Sequence, residues 1–596
     1  MAGHILQQVF RVTNCPTLAV TSRQSFQKPD NMKYLSNTSL LFFYTFIVSV
    51  FISCNENNSA PSKESIKQIN LKRGDIISCS PSDKQFGSVD FEITCNEKVK
   101  KDFNLAIELL HSFEYDESEK VFAKIIDVTP ECAMAYWGVA MCNFHPLWTP
   151  PTEAELQKGS KVIEIANTIT KKSKREIAYI NAIAVFYKDW NITDHSIRCI
   201  NYEKAMEQVH NTYPDDKEAS VFYALALDAS ADPTDKTYIN QKKAGALLNS
   251  LYPSEPNHPG IIHYIIHTYD YPGLAALALP SARKYAQVAP SSGHALHMPS
   301  HIFTRLGLWD ECIKSNRVSV ASAKCYAEQA GIKGHWDEEL HGLDYLTYAY
   351  LQKGENDLAK EQLKYLATIS EVYPVNFKEA YAFAAIPSRF FLENKNWAEA
   401  AKVQLLPAGF PWIKFPWQES IIHFTRLLGA AHLGNIKNAN IELAKLYQFY
   451  DTLKHQKDVY KSGQVAIQIK TGEAWIQFAV GKKNDALNLM KLAADMEDRT
   501  EKHPVTPGEV LPARELLGDL FQQLQQYQNA LLAYEAVLQK SPNRFNSLYG
   551  AGLAAEKLGN QSKAIFYYKQ LLSVADAINS DRKEFTDIRL FLDSHL

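Results

Sequence analysis

The chain has 596 residues, 46% of them hydrophobic and 11% aromatic, too rich in core-forming side chains to be disordered. A formal net charge of -3 leaves no basic footprint, so nucleic acid is not an expected partner. One globular domain of this length would be unusual.

Residues 1–31 show no periodicity and read as an upstream extension that is not native to the protein. Met32-Lys33 then opens a short basic segment, followed by the apolar run LLFFYTFIVSVFIS from Leu40 to Ser53, which ends at Cys54. The run is too short to span a bilayer comfortably and suits the apolar part of a signal peptide, residues 32–53. Ser53 before Cys54 resembles a bacterial lipobox. That resemblance implies cleavage before Cys54, lipidation of Cys54 and a membrane anchor. It places the protein in the cell envelope of a bacterium, as a periplasmic or outer-membrane lipoprotein. An ordinary secretory signal with a chance cysteine is the alternative, and it also exports the chain. Residues 54–95 are expected to be a polar linker, with Val89–Thr94 as one short strand because its apolar side chains alternate. Seven cysteines follow Cys54, an odd number, so no complete disulfide framework is expected; Cys79 and Cys95 are a pair that a short loop can bridge in an oxidising compartment.

From about Lys98 the apolar spacing is helical to the C-terminus, residues 96–596. Gly518 and Gly552, Ala530 and Ala564, and Tyr534 and Tyr568 each stand 34 residues apart. Small residues at close helix crossings, aromatics in the gaps and Pro542 after a second helix resemble tetratricopeptide repeats, clearest over 511–576. Degenerate copies run upstream, from Tyr115 to Pro130 and around Gly307, Gly354, Trp397, Gly434 and Gly481. The expected fold is all-α, a tetratricopeptide-type α-solenoid of roughly ten helix pairs bent into two lobes.

Several motifs also resemble a bacterial family of exported tetratricopeptide proteins. They are LLHSFEYDES (Leu109–Ser118), AMAYWGVAM (Ala133–Met141), HPLW (His145–Trp148), HPGIIHYIIHTYD (His258–Asp270), HALHMPSHIFTRLGLW (His294–Trp309), HGLDYLTYAYLQ (His341–Gln352), KHPVTPG (Lys502–Gly508) and PARELLGD (Pro512–Asp519). The resemblance implies the fold and export and assigns no catalytic residue.

Histidines crowd the middle of the chain. His263 and His267 are four apart and share one helix face, with Asp270 a turn beyond as an acceptor for the N–H of a ligating imidazole. His258 is placed at the cap of that helix, ahead of Pro259. His297 and His301 are again four apart, with Pro299 in a first turn and His294 on the approach loop. His335 and His341 follow, beside Asp337, Glu338, Glu339 and Asp344; His145 and His503 are outliers. Repeats stacked side by side bring such residues to one wall, where imidazoles and a carboxylate suit Zn, Cu, Fe or Ni. The candidate ligands are therefore His263, His267, His294, His297 and His301, with His258, Asp270, His335 and His341 as supporting or additional ones. The competing readings are a polar ligand groove and histidines that only pack helices, since HxxxH without HExxH lacks a metalloprotease base. No phosphate loop, nucleophile elbow or dinucleotide fingerprint is present. Two functions stand against each other: a scaffold that binds a peptide or protein in the solenoid groove, and a metal-binding protein or metal-dependent enzyme.

Overall fold

In the last repeats the reason for the 34-residue spacing is visible. Helices Ala513–Gln523 and Tyr527–Lys540 form one pair, and Phe545–Lys557 and Gln561–Val574 the next. A Cβ on Gly518 would enter the Tyr534 ring, and one on Gly552 would enter the Tyr568 ring. The same small-against-aromatic contact thus recurs once per repeat. Gly307, Gly354, Gly434, Gly481 and Gly559 all have positive φ and turn one helix into the next.

The computed structural model describes residues 60–79, 85–575, 578 and 580–595; the signal segment and Cys54 lie outside them. The described chain is an all-α solenoid, with successive helices packed as antiparallel neighbours. Its strands are two-residue pieces, His335–Trp336 paired in parallel with Val372–Tyr373. The described part of residues 58–596 forms one compact unit. The inner helices explain why. Every residue of Pro259–Thr268 is buried, as is nearly all of Asp337–Gln352, so these helices are covered on all sides rather than on one face.

Part of that covering comes from the chain's own KHPVTPG segment. Tyr345 Oη donates to Val505 O at 3.2 Å, Tyr381 Oη to Gly508 O at 3.3 Å and Arg389 Nη2 to Gly508 O at 2.7 Å. Where a groove-bound peptide would lie against these side chains, the protein places its own backbone.

The N-terminal segment differs from the expected linker. Ile69, Leu71, Phe86, Val89 and Phe91 are buried, and Cys79 is bridged to Cys325. Val89–Thr94 keeps its alternating burial but is not a strand. Its backbone N–H groups go to side chains instead, Val89 to Glu108, Phe91 to Asn104 and Thr94 to Glu176. Cys79 and Cys95 do not pair with each other. Cys95 is bridged to Cys132, and Cys142, Cys199 and Cys312 are free and buried.

Candidate metal centre

The helix Pro259–Thr268 starts at His258, whose Nδ1 accepts from Ile261 N at 3.2 Å, with Pro259 in the first turn. Gly260 is required by proximity: a Cβ there would meet the His111 imidazole. Past this start, His263 and His267 fall on one face, and their Nε2 atoms are 3.0 Å apart. His294, in the one-turn helix Gly293–His297 rather than on a loop, brings its Nε2 to 3.1 Å from that of His263. These three nitrogens form one group, each within 4.8 Å of the others.

A second group is built from His297, His301 and His341, again within 4.8 Å. Helix Pro299–Leu306 carries His301, and Asp337–Gln352 carries His341. The Nε2 atoms of His297 and His301 stand 3.2 Å apart. The groups adjoin where the His267 and His301 rings lie edge to face, 6.2 Å between centroids.

The tautomers follow from the outer partners. His263 Nδ1 donates to His111 O at 2.6 Å, a group that can only accept. His301 Nδ1 donates to Asp270 Oδ2 at 3.1 Å. Burial opposes ionisation of Asp270, but Lys502 and Arg305 outweigh it and hold the carboxyl well below its usual range. His297 Nδ1 donates to Asn316 Oδ1 at 2.7 Å, and the amide is oriented by Asn316 Nδ2 donating to Cys312 O at 2.8 Å. In all three rings the proton is on Nδ1, so Nε2 is a bare lone pair facing the group. Oxygen acceptors on Nδ1 are the usual outer partners of metal-bound imidazoles.

That arrangement is poorly satisfied by the histidines alone. His297 and His301 turn two lone pairs at each other, and His263 offers one lone pair to two neighbours. A cation, either a proton or a metal, is needed between His297 and His301; at His263 the lone pair is met by an Nε2–H of His267 or His294, or by a metal. Protons are disfavoured. Burial pushes His263, His267, His294, His297 and His341 well below the usual imidazole range, and lowers His301 against the pull of Asp270.

Aromatic rings wall the site. Phe113, held at φ 57°, puts its ring 4.5 Å from His263, 5.6 Å from His267 and 5.7 Å from His294. Trp148 lies 5.0 Å from His267, and Tyr345 Oη is 3.4 Å from His301.

Two of the supporting residues lie outside these two groups. His258 Nε2 donates to Glu218 Oε1 at 2.8 Å, and His111 Nε2 to Glu218 Oε2 at 2.9 Å. His111 Nδ1 is 2.9 Å from Tyr264 Oη, and His111, Glu218 and His258 make a third buried group whose ligand atoms also lie within 4.8 Å of one another, tied together by hydrogen bonds. His335, on the short strand ahead of helix Asp337–Gln352, pairs with Glu339 at 2.8 Å. Of the outliers, His145 pairs with Glu155 and His503 packs on Phe377 and Trp417. Sequence reasoning missed His111 as a structural group. Its signal was the Gly260 that follows His258-Pro259, the one residue small enough to receive its ring.

With this geometry in place, the comparisons are narrow. A tetratricopeptide-repeat model matches residues 516–580, the repeats with the Gly-Tyr contact. Such repeats support a protein-interaction or scaffold role for that part of the chain. No curated protein sequence matches significantly. Among solved structures, a human IFIT1 dimer with m7Gppp-AAAA is similar at 12% identity, covering 81% of this chain and 96% of that one with a TM-score of 0.31. An APC/C hetero-tetramer Cut9-Hcn1 is similar at 12% identity, covering 83% and 97% with a TM-score of 0.27.

Proposed function

We propose that this protein is a transition-metal-binding solenoid, holding one ion at His263, His267 and His294 and a second at His297, His301 and His341. The observation that carries this reading is the His297–His301 contact: two Nε2 atoms 3.2 Å apart, with both Nδ1 protons already committed to oxygen acceptors. Three neutral imidazoles suit Zn, Cu, Fe or Ni and leave a fourth position open. The test is metal content of untagged protein beside the His263→Gln/His297→Gln double variant. Near-stoichiometric metal in the parent and its loss in the variant support the site; sub-stoichiometric metal in a folded parent removes it.

Export and a lipid anchor at Cys54 belong to the same proposal. The bridges Cys79–Cys325 and Cys95–Cys132 support an oxidising compartment. Cys54→Ala is expected to shift the protein from the membrane to the soluble fraction, and unchanged partition would remove the anchor. No helix among the described residues is long and apolar enough to cross a membrane.

The scaffold reading is favoured at the C-terminal repeats. The inner wall around Tyr345, Tyr381 and Arg389 already holds the chain's own 502–508 segment, so we place a peptide or protein partner on the repeats of 513–595. Deleting 545–596 is expected to abolish partner capture from envelope extracts while metal content stays.

A further inference from the structure

The charges around the two histidine groups say what else the centre must hold. All six proposed ligands are neutral imidazoles; no carboxylate is among them. The nearest carboxylates already have cations. Asp270 is paired with Arg305 at 2.8 Å and Lys502 at 2.9 Å. Asp337 and Glu338 are both paired with Lys378, the first at 2.6 Å. Glu338 stands one turn before His341 on helix Asp337–Gln352 and is paired with Lys378, so this ion pair borders the second group.

Asp270, Asp337 and Glu338 are thus offset by Arg305, Lys502 and Lys378. Two further carboxylates lie close. Glu114 accepts from Ser292 Oγ and from the His294 N–H, and Glu218 accepts from His111 and His258. Two divalent ions would bring four positive charges. Even with Glu114 and Glu218 both ionised, about half of that charge is uncompensated among buried rings, where desolvation costs several kcal/mol per ion.

Resting on the metal reading above, we infer that the loaded centre takes up a small monovalent anion at the coordination position that three histidines leave open in each group. The site accepts it without rearranging a protein carboxylate, because every nearby one is engaged. Steric access favours a compact ion: Phe113 and Trp148 pack directly on His267 and His294. Hydroxide from water and a free anion such as formate share this chemistry.

The experiment uses the full chain loaded with Co(II) or Cu(II), titrated with azide and followed by its visible absorption. Saturable spectral change is expected in loaded protein and none in the metal-free form. Azide affinity that falls as pH rises assigns the resident anion to hydroxide; affinity independent of pH but lowered by formate assigns it to a free anion. Charge balance sets opposite signs for two variants. Lys378→Met frees negative charge and should weaken azide about tenfold, whereas Glu338→Gln should strengthen it by a similar factor. Stoichiometric metal with a spectrum blind to azide overturns the anion inference and leaves metal binding standing. Shifts of the two variants in the same direction overturn the charge argument. Absence of metal removes both readings, and the wild-type titration decides the question even where a variant does not fold.

Discussion

Lys502 Nζ lies 2.9 Å from Asp270 Oδ2, the same oxygen that accepts from His301 Nδ1. The KHPVTPG segment, 232 residues away in sequence, therefore helps to orient one of the proposed metal ligands. Arg305 completes the shell with donations to Asp270 Oδ1 and O, both at 2.8 Å. Asp270→Asn would leave two buried cations short of a partner, and removing one side of a buried ion pair costs about 3–5 kcal/mol. It also weakens the acceptor that fixes His301. The expected result is a large drop in thermal midpoint, together with about a 10–100-fold loss of metal affinity. Asp270→Glu should recover part of the stability but less of the affinity. Equal losses of both across the pair would argue that Asp270 only holds the fold.

The third histidine group gives the contrasting expectation. His258 and His111 spend their Nε2 protons on Glu218, and His258 Nδ1 caps a helix. His258→Asn keeps a capping side chain but removes one donor from the buried Glu218, at a cost of about 1–3 kcal/mol. Metal content should not change, and His335→Gln should also leave it intact. A variant at 258 that loses metal while remaining folded would move His258 back among the ligands.

These two cases show what the sequence could and could not tell. The i, i+4 pairs His263/His267 and His297/His301 were legible, because helical spacing alone puts each pair on one face. Which third ring completes each group was not. His294 and His341 come from elements whose crossing is set by packing over the whole solenoid. His258 and His335 lie outside the two groups; from a proline-led cap and a two-residue strand they meet Glu218 and Glu339. The C-terminal repeats were legible because the contact between Gly518 and Tyr534 repeats 34 residues later. At 89–94 the alternation suggested a strand that the structure does not have, since it reflects packing of an extended segment on helices that offer side-chain acceptors.

Repeat packing makes its own prediction. In Gly518→Ala the new methyl group would enter the Tyr534 ring, whose Oη is fixed to Asp519 Oδ1 at 2.7 Å and resists displacement. Overpacking of this kind costs about 1–3 kcal/mol. Gly552→Ala should cost a similar amount through Tyr568, which donates to Glu556 at 3.0 Å. Thermal unfolding of the single variants tests both. Combining Gly518→Ala with Tyr534→Leu should cost less than the sum of the separate changes, and strict additivity would show that the ring is not what the methyl group meets.

Away from the centre, His432 tests how acid acts on the fold. Its ring stacks on Trp397 at 3.7 Å and meets Trp475 at 4.1 Å. Burial, helped by Lys395, lowers its pKa to about 3. A histidine depressed in the folded state contributes stability that is present above its unfolded value, near 6.5, and lost as pH falls toward 3. Across that window the unfolded chain binds the extra proton, so each such group removes about 1.4 kcal/mol per pH unit. His503, lowered to about 3 by burial with Lys461 and Lys502, adds a second contribution of the same sign. His432→Phe keeps an aromatic ring between the tryptophans and removes the titration. Between pH 6 and 4 its unfolding free energy should fall less steeply than the parent's, by about 1.4 kcal/mol per pH unit. Parallel pH profiles for the two proteins would mean that the imidazole is not held neutral between the indoles.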